Sequence, residues 1–159
     1  MPRSSSAFFW AAAVSGSFHA GWSAYWLMGG SLLLESVGQW AATTGDSRGG
    51  GIMAMLAATM LVKLGAAWVP LLAEYRILAG RKAWRTTSWI GAACITLYGL
   101  ANIAASGAAL LNVLPTAPDS RSAHLGHALL WGPLFVLWGI ALLIALARFK
   151  QDQARGLTW

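Results

Sequence analysis

The stretch LGHALLWGPLFVLWGIALLIALA, residues 125–147, contains no Asp, Glu, Lys or Arg. A bilayer core of about 30 Å is crossed by roughly 20 helical residues, so this one stretch is long enough to span it. Three further runs of the same character lie at Phe8–Leu34, Ile52–Leu72 and Ser88–Leu114. Irregular backbone cannot face lipid, so each run must be helical. Helices near 8–34, 52–78, 88–114 and 125–148, joined by short connections, predict an all-α, up-down four-helix bundle. Together they occupy residues 1–159 as a single transmembrane domain.

Composition points the same way. Hydrophobic residues make up 57% of the chain and charged residues 10%, whereas about a quarter of a soluble domain is charged. Arg3 and the AAAV segment give the first run the look of a signal peptide. Its apolar stretch exceeds an h-region of about 7–15 residues, so a retained helix is expected. Cys94 is the sole cysteine, which excludes two-thiol disulfide chemistry within one chain. The net charge of +6 is sorted by connection. Arg3 precedes helix 1, Arg76, Arg81, Lys82 and Arg85 lie between helices 2 and 3, and Arg148, Lys150 and Arg155 follow helix 4. Only Arg48 and Arg121 fall in the other two connections. By the positive-inside rule both termini and the middle loop are cytoplasmic. Attraction to anionic membrane lipid accounts for the positive charge without any nucleic-acid partner.

The connections differ in character. Gly29-Gly30 can end or bend helix 1, which leaves SLLLESVGQW (31–40) to lie along the outer interface with Glu35 near the headgroups. TTGDSRGGG (43–51) reads as a flexible outer loop, and the two prolines of PTAPDSRS (115–122) mark a firm stop. No internal repeat is evident.

At about 100° per residue the polar and aromatic residues of each helix share one face. Helix 1 aligns Ser15, His19, Trp22, Ser23 and Trp26; helix 2 aligns Lys63, Ala67, Pro70 and Glu74. Helix 3 aligns Cys94, Tyr98, Asn102 and Ser106, and helix 4 aligns His124, His127, Trp131 and Trp138. Ionisable groups at membrane depth turn towards a bundle interior or a water-filled cavity. The faces therefore predict an aromatic-lined interior site formed by Trp22, Trp26, Lys63, Tyr98, Asn102, Trp131 and Trp138. Trp68 is expected at the same depth, while Trp10, Trp40, Trp84, Trp89 and Trp159 fall at the membrane boundaries as anchors. Aromatic packing and interhelical hydrogen bonding are the competing account of the deep residues. An unpaired Lys63 near the middle of helix 2 would cost at least ~2.5 kcal/mol, so it requires a buried partner or water.

The candidate proton-transfer groups are Glu35 and Asp119 from the outer side, Glu74 from the inner side, and His19 and His127 beside the tryptophans. Glu74 also has a plainer reading, an ion pair with the neighbouring arginines. His124 and His127 lack a third fixed ligand, so no metal is expected. No P-loop, dinucleotide fingerprint, nucleophile elbow or H-E-x-x-H is present, and no cofactor is expected.

Two stretches carry a resemblance. WSAYWLMGG closes helix 1 in a W-x-x-G-G pattern, and HALLWGPLFVLWG in helix 4 fits W-x-P followed six residues later by glycine. In both, the chain resembles an uncharacterised family of small four-helix bacterial membrane proteins, common in actinobacteria and grouped as a domain of unknown function. That family often carries an acidic residue before the proline, where this chain has Gly132. The resemblance implies a multi-pass protein of the bacterial cytoplasmic (inner) membrane and supplies no reaction.

Three functional expectations follow. The first is an intramembrane enzyme acting on a lipophilic substrate, concretely an acid-initiated cyclisation or isomerisation of an isoprenoid-like molecule. Such chemistry needs a buried acid and aromatic faces that stabilise positive charge. The second is a transporter or binding protein for a lipophilic small molecule, where positive Lys63 suits an anion or carbonyl and alternating access would need a homo-oligomer. The third is an accessory subunit that docks through the small-residue ridge Ala12, Gly16 and Ala20.

Overall fold

The computed structural model describes residues 3–38, 49–115 and 120–156. Four long helices account for most of them: α1 (Arg3–Leu27), α2 (Gly50–Glu74), α3 (Arg81–Leu110) and α4 (Arg121–Ala154). No strand occurs among the described residues. Helix α4 is continuous but not uniform, since residues His127–Trp131 form a π turn between two α-helical segments. A short 3₁₀ turn, Leu34–Ser36, lies in the connection after α1.

Each helix pairs antiparallel with its neighbours. Between α1 and α2 the side chains of Ser6 and Tyr75, Ser17 and Trp68, and Ser23 and Lys63 meet in opposite chain order. Between α1 and α4 the same holds for Phe9 with Phe149, His19 with Phe135, and Trp26 with Trp131. Arg85 with Gln153 and Tyr98 with Phe135 do this between α3 and α4. The start of α1, the α2–α3 connection and the end of α4 therefore share one end of the bundle. We call it the basic end, because Arg76, Arg81, Lys82, Arg85, Arg148 and Lys150 gather there. Around the bundle the order is α2, α1, α4, α3, while α2 and α3 touch only sparingly.

Backbone strain marks where helices stop. Helix α1 ends earlier than its apolar run suggests, because Gly29 takes a φ of 105° and Leu33 one of 60°. At the basic end Arg76 (φ 62°) and Gly80 (φ 75°) turn the chain into α3. That helix starts at Arg81, ahead of its apolar run, so the arginines form its first turns.

Small residues set the helix spacing. A Cβ on Gly16 would lie 2.6 Å from both Ala67 and the Trp138 ring, so α1 meets α2 and α4 closely there. The ridge Ala12, Gly16 and Ala20 is buried inside the bundle. Between α3 and α4, a Cβ on Gly99 would lie 2.8 Å from the Gly132 carbonyl, a backbone-to-backbone approach that membrane helices commonly use. A Cβ on Gly132 would sit 2.5 Å from the His127 carbonyl. An acidic side chain before Pro133 would have no room in this bundle.

The core is a cluster around Phe9, Leu71, Trp138, Leu142, Leu146 and Phe149, whereas Val14, Leu61, Val62, Ile90, Leu97, Leu129 and Leu137 point outwards. An apolar outer surface of this kind is what lipid contact requires. Helices α2, α3 and α4 are long and apolar enough to cross a membrane, with mean hydropathies of 1.8, 1.5 and 2.3 over their best windows. Helix α1 is long enough but is not among them. Its serines and His19 lower the average, and Ser5, His19 and Ser23 are all buried. Helix α1 is thus the polar wedge of the bundle, its polar face covered by its neighbours while Trp10, Val14 and Phe18 stay exposed.

Candidate functional site

At the end opposite the basic one, a chamber of about 310 Å³ opens between the four helices. Helix α1 contributes His19, Trp22 and Trp26, each about one turn from the next, as the periodicity of the sequence predicts. Helix α2 adds Thr59 and Lys63, α3 adds Tyr98, α4 adds His127, Trp131 and Phe135, and Val37 of the connecting segment closes the top. Trp22, Trp26, Lys63, Tyr98, Trp131, His19 and His127, singled out separately on four helices, here line one space.

The aromatic walls are locked against each other. Trp131 stands edge-on to Trp22 and Trp26, with ring centroids 5.8 and 5.6 Å apart. The His19 ring stacks on Phe135 at 4.0 Å, and Tyr98 meets the same Phe135 edge-on at 5.1 Å. Edge-to-face pairs of this kind fix ring orientation as well as adding packing energy. Three hydrogen bonds tie residues 32–37 across the mouth. Trp26 Nε1 donates to the Leu32 carbonyl at 3.0 Å, Trp131 Nε1 donates to Ser36 Oγ at 3.0 Å, and His127 Nε2 lies 3.2 Å from the Val37 carbonyl. A Cβ on Gly126 would collide with Ser36, so that segment can press onto α4 only because residue 126 is glycine.

The polar atoms that face the chamber are few. Lys63 Nζ donates to Ser23 Oγ at 3.0 Å. A carbonyl can only accept, so the contact with Val37 puts the proton of neutral His127 on Nε2 and leaves Nδ1 an acceptor. That Nδ1, together with His19 Nε2 and Trp138 Nε1, is buried without a hydrogen-bond partner. Orphaned buried polar atoms are uncommon and call for an explanation. Glu74 forms ion pairs with Arg81 and Arg85, and among the described residues no carboxylate lines the chamber.

The other sequence candidates stand elsewhere. Glu74 is buried at the basic end, where Arg81 approaches at 2.9 Å and Arg85 at 2.8 Å, while both guanidinium groups also cover the Phe149 ring. Glu35 is exposed on the 3₁₀ turn above the mouth. Asp119 lies outside the described residues, as do Arg48, Trp40 and Trp159. Asn102 bonds back to the Tyr98 carbonyl of its own helix at 2.8 Å. Trp138 is a core residue that borders the adjoining cavity. Trp68 is exposed and donates to Ser17 Oγ at 3.0 Å, so it belongs with the outer aromatics and stands edge-on to Trp10. His124 is half-buried and does not line the chamber, unlike His127 one turn on. Sequence reasoning missed Phe135, Thr59 and Val37. Phe135 and Thr59 lie on the predicted inner faces, but an apolar ring and a threonine carry no polar signal to separate them from packing residues.

Fold and site define an all-helical bundle with membrane-spanning character and a lined interior chamber. The sequence profile of a family described as a protein of unknown function, DUF3995, matches residues 16–142. The chain belongs to that family, and the matched region runs from α1 into α4, so it contains every wall of the chamber. Comparison with curated proteins and with solved structures gives no match.

Proposed function

We propose that this protein binds a lipophilic small molecule inside the membrane and receives an oxyanion or carbonyl group of that molecule at Lys63. The observation that supports this reading is the chamber itself, which combines one ammonium, two imidazoles and a wall of stacked aromatic rings in a single space. An ammonium at this depth is costly, and one serine hydroxyl offsets only part of that cost. A ligand oxygen would complete its shell with a charge-assisted bond, which is roughly twice as strong as a neutral one. The rings of Trp22, Trp26 and Trp131 would hold a flat or branched apolar body. The sorting of basic residues supports a cytoplasmic placement of the basic end.

A second reading, an isomerase that moves a proton on the bound molecule, draws support from the unpartnered His19 Nε2 and His127 Nδ1. In this form His19 and His127 carry the proton without Glu35 and Glu74, which stand away from the chamber.

Native mass spectrometry of the protein in mild detergent tests the binding reading. A lipophilic molecule bearing a carbonyl or acid group should stay bound at one per chain and be lost in Lys63→Met. A ligand whose retention ignores Lys63→Met would sink the proposal. Conversion of that ligand by the wild type, abolished by His127→Ala with binding retained, would favour the isomerase.

A further inference from the structure

The chamber does not end at Lys63. Lys63, Thr59 and Phe135 also border a second cavity, about 420 Å³, on the seam between α2 and α3. Ala66 and Ile95 in turn join that cavity to a third, about 280 Å³, which runs towards the basic end between Gly65 and Pro70 on one side and Trp84 and Gly91 on the other. By these shared wall residues the three lie in one line along α2. From Thr59 to Pro70 it extends about 16 Å along α2 at about 1.5 Å per residue. It exists because α2 and α3, although adjacent in sequence, are splayed, while each packs on other helices.

Polarity changes sharply along this path. In the lower part the Thr87 hydroxyl donates to the Ala83 carbonyl at 3.1 Å, Ser88 to the Trp84 carbonyl at 2.7 Å, and Trp84 Nε1 to the Ala79 carbonyl at 3.1 Å. Every side-chain donor there is already spent on its own segment. At the upper end stand Lys63 and the two imidazoles. The lower part offers no free donor and so favours hydrocarbon, in line with Lys63.

We infer that the molecule bound by this protein is an amphiphile with a long hydrocarbon tail, its polar group at Lys63 and its tail laid in the α2–α3 groove towards the basic end. The inference rests on the reading of the chamber as a binding site. The groove opens laterally, so the tail reaches it from the bilayer without crossing water. Gly65 and Gly91 are the residues that keep it open, since a Cβ on either meets nothing within 4 Å. They set how much tail is accepted.

The test uses the full chain in mild detergent with two probes, octanoate and palmitate, read by native mass spectrometry. Gly91→Phe, low in the groove, should reduce palmitate retention by roughly tenfold, about 1.4 kcal/mol, and leave octanoate unchanged, while Gly65→Phe, about 3 Å from Lys63 along α2, should weaken both probes. Lys63→Met should weaken both probes alike. Both glycine variants point into open space, and unchanged thermal unfolding confirms that they fold. Palmitate retained equally by both glycine variants but lost in Lys63→Met would overturn the groove and leave the chamber reading intact. Indifference of both probes to Lys63→Met would overturn the chamber reading, and the tail assignment with it. If the glycine variants instead dissociate a dimer, the groove is a helix-docking face between copies and the tail assignment is wrong.

Discussion

Gly16 and Lys63 represent the two ways in which single residues matter in this protein. Gly16 is a spacing residue, with no side chain where α1 crosses Ala67 and the Trp138 ring. Gly16→Ala should cost about 1–3 kcal/mol through overpacking. Gly21→Ala on the same helix, where a Cβ meets nothing, should be neutral or gain up to about 1 kcal/mol. Unfolding midpoints of the two variants in one detergent check this, and equal midpoints would mean that the α1 crossing is looser than described. Lys63 is instead a residue whose placement weakens the apoprotein and whose value lies in what it receives. With a single serine as partner, it is the side chain whose replacement by Met should make the empty protein no less stable while removing ligand retention.

Among the elements, the π turn of α4 ties local geometry most closely to the site. Pro133 has no N–H to offer the Leu129 carbonyl, and its ring would crowd that carbonyl in a regular α-helix. The turn at His127–Trp131 widens to i→i+5 bonding, and the Gly132 N–H bonds to the His127 carbonyl. Such turns recur at functional sites, and here it sets the orientations that let His127 reach Val37 and Trp131 reach Ser36. Pro133→Ala should let the turn relax to α. Helix stability should then rise by up to about 3 kcal/mol, the amount proline withholds, while ligand retention falls. This is a stability–function exchange of a familiar kind. The imidazole resonance of His127 in nitrogen-labelled protein reports the change, and an unmoved resonance would show that the π turn has another cause.

For the whole molecule, the Glu74 cluster does for the basic end what the aromatic chamber does for the other. One buried carboxylate receives Arg81 and Arg85, and Arg85 reaches on to Gln153 of α4 at 2.8 Å. The cluster joins α2, α3 and α4 at the one end where α2 and α3 come together, and so fixes the lower limit of the groove. Glu74→Gln should lower stability by about 1.5–3 kcal/mol, the range for a hydrogen bond to a charged group. Part of that loss should return in Glu74→Gln/Arg85→Gln, which also removes the guanidinium left facing a neutral amide. Additive losses in that cycle would mean that the ion pair contributes nothing beyond its separate side chains.

Much of this architecture was legible in the sequence because its causes are local. Hydrocarbon demands uninterrupted apolar helices, so the four runs and their polar faces, the His19–Trp22–Trp26 and Lys63 stripes among them, follow from counting residues along each helix. Charge sorting among the connections is likewise a property of composition. What the residues alone could not decide is which faces meet. Glu74 and Lys63 share a helical stripe, yet one ends among arginines and the other in the aromatic chamber, because α2 leans on α1 and away from α3. Trp68 and Trp138 read alike from their depth, and only the helix order put one outside and one in the core. The sequence determined that this is a helical membrane bundle with polar inner faces, since period and hydropathy act within each helix. The tertiary structure alone decided that those faces close into one chamber with a groove beneath it. That outcome depends on close glycine contacts between different helices, which no periodicity within a single helix encodes.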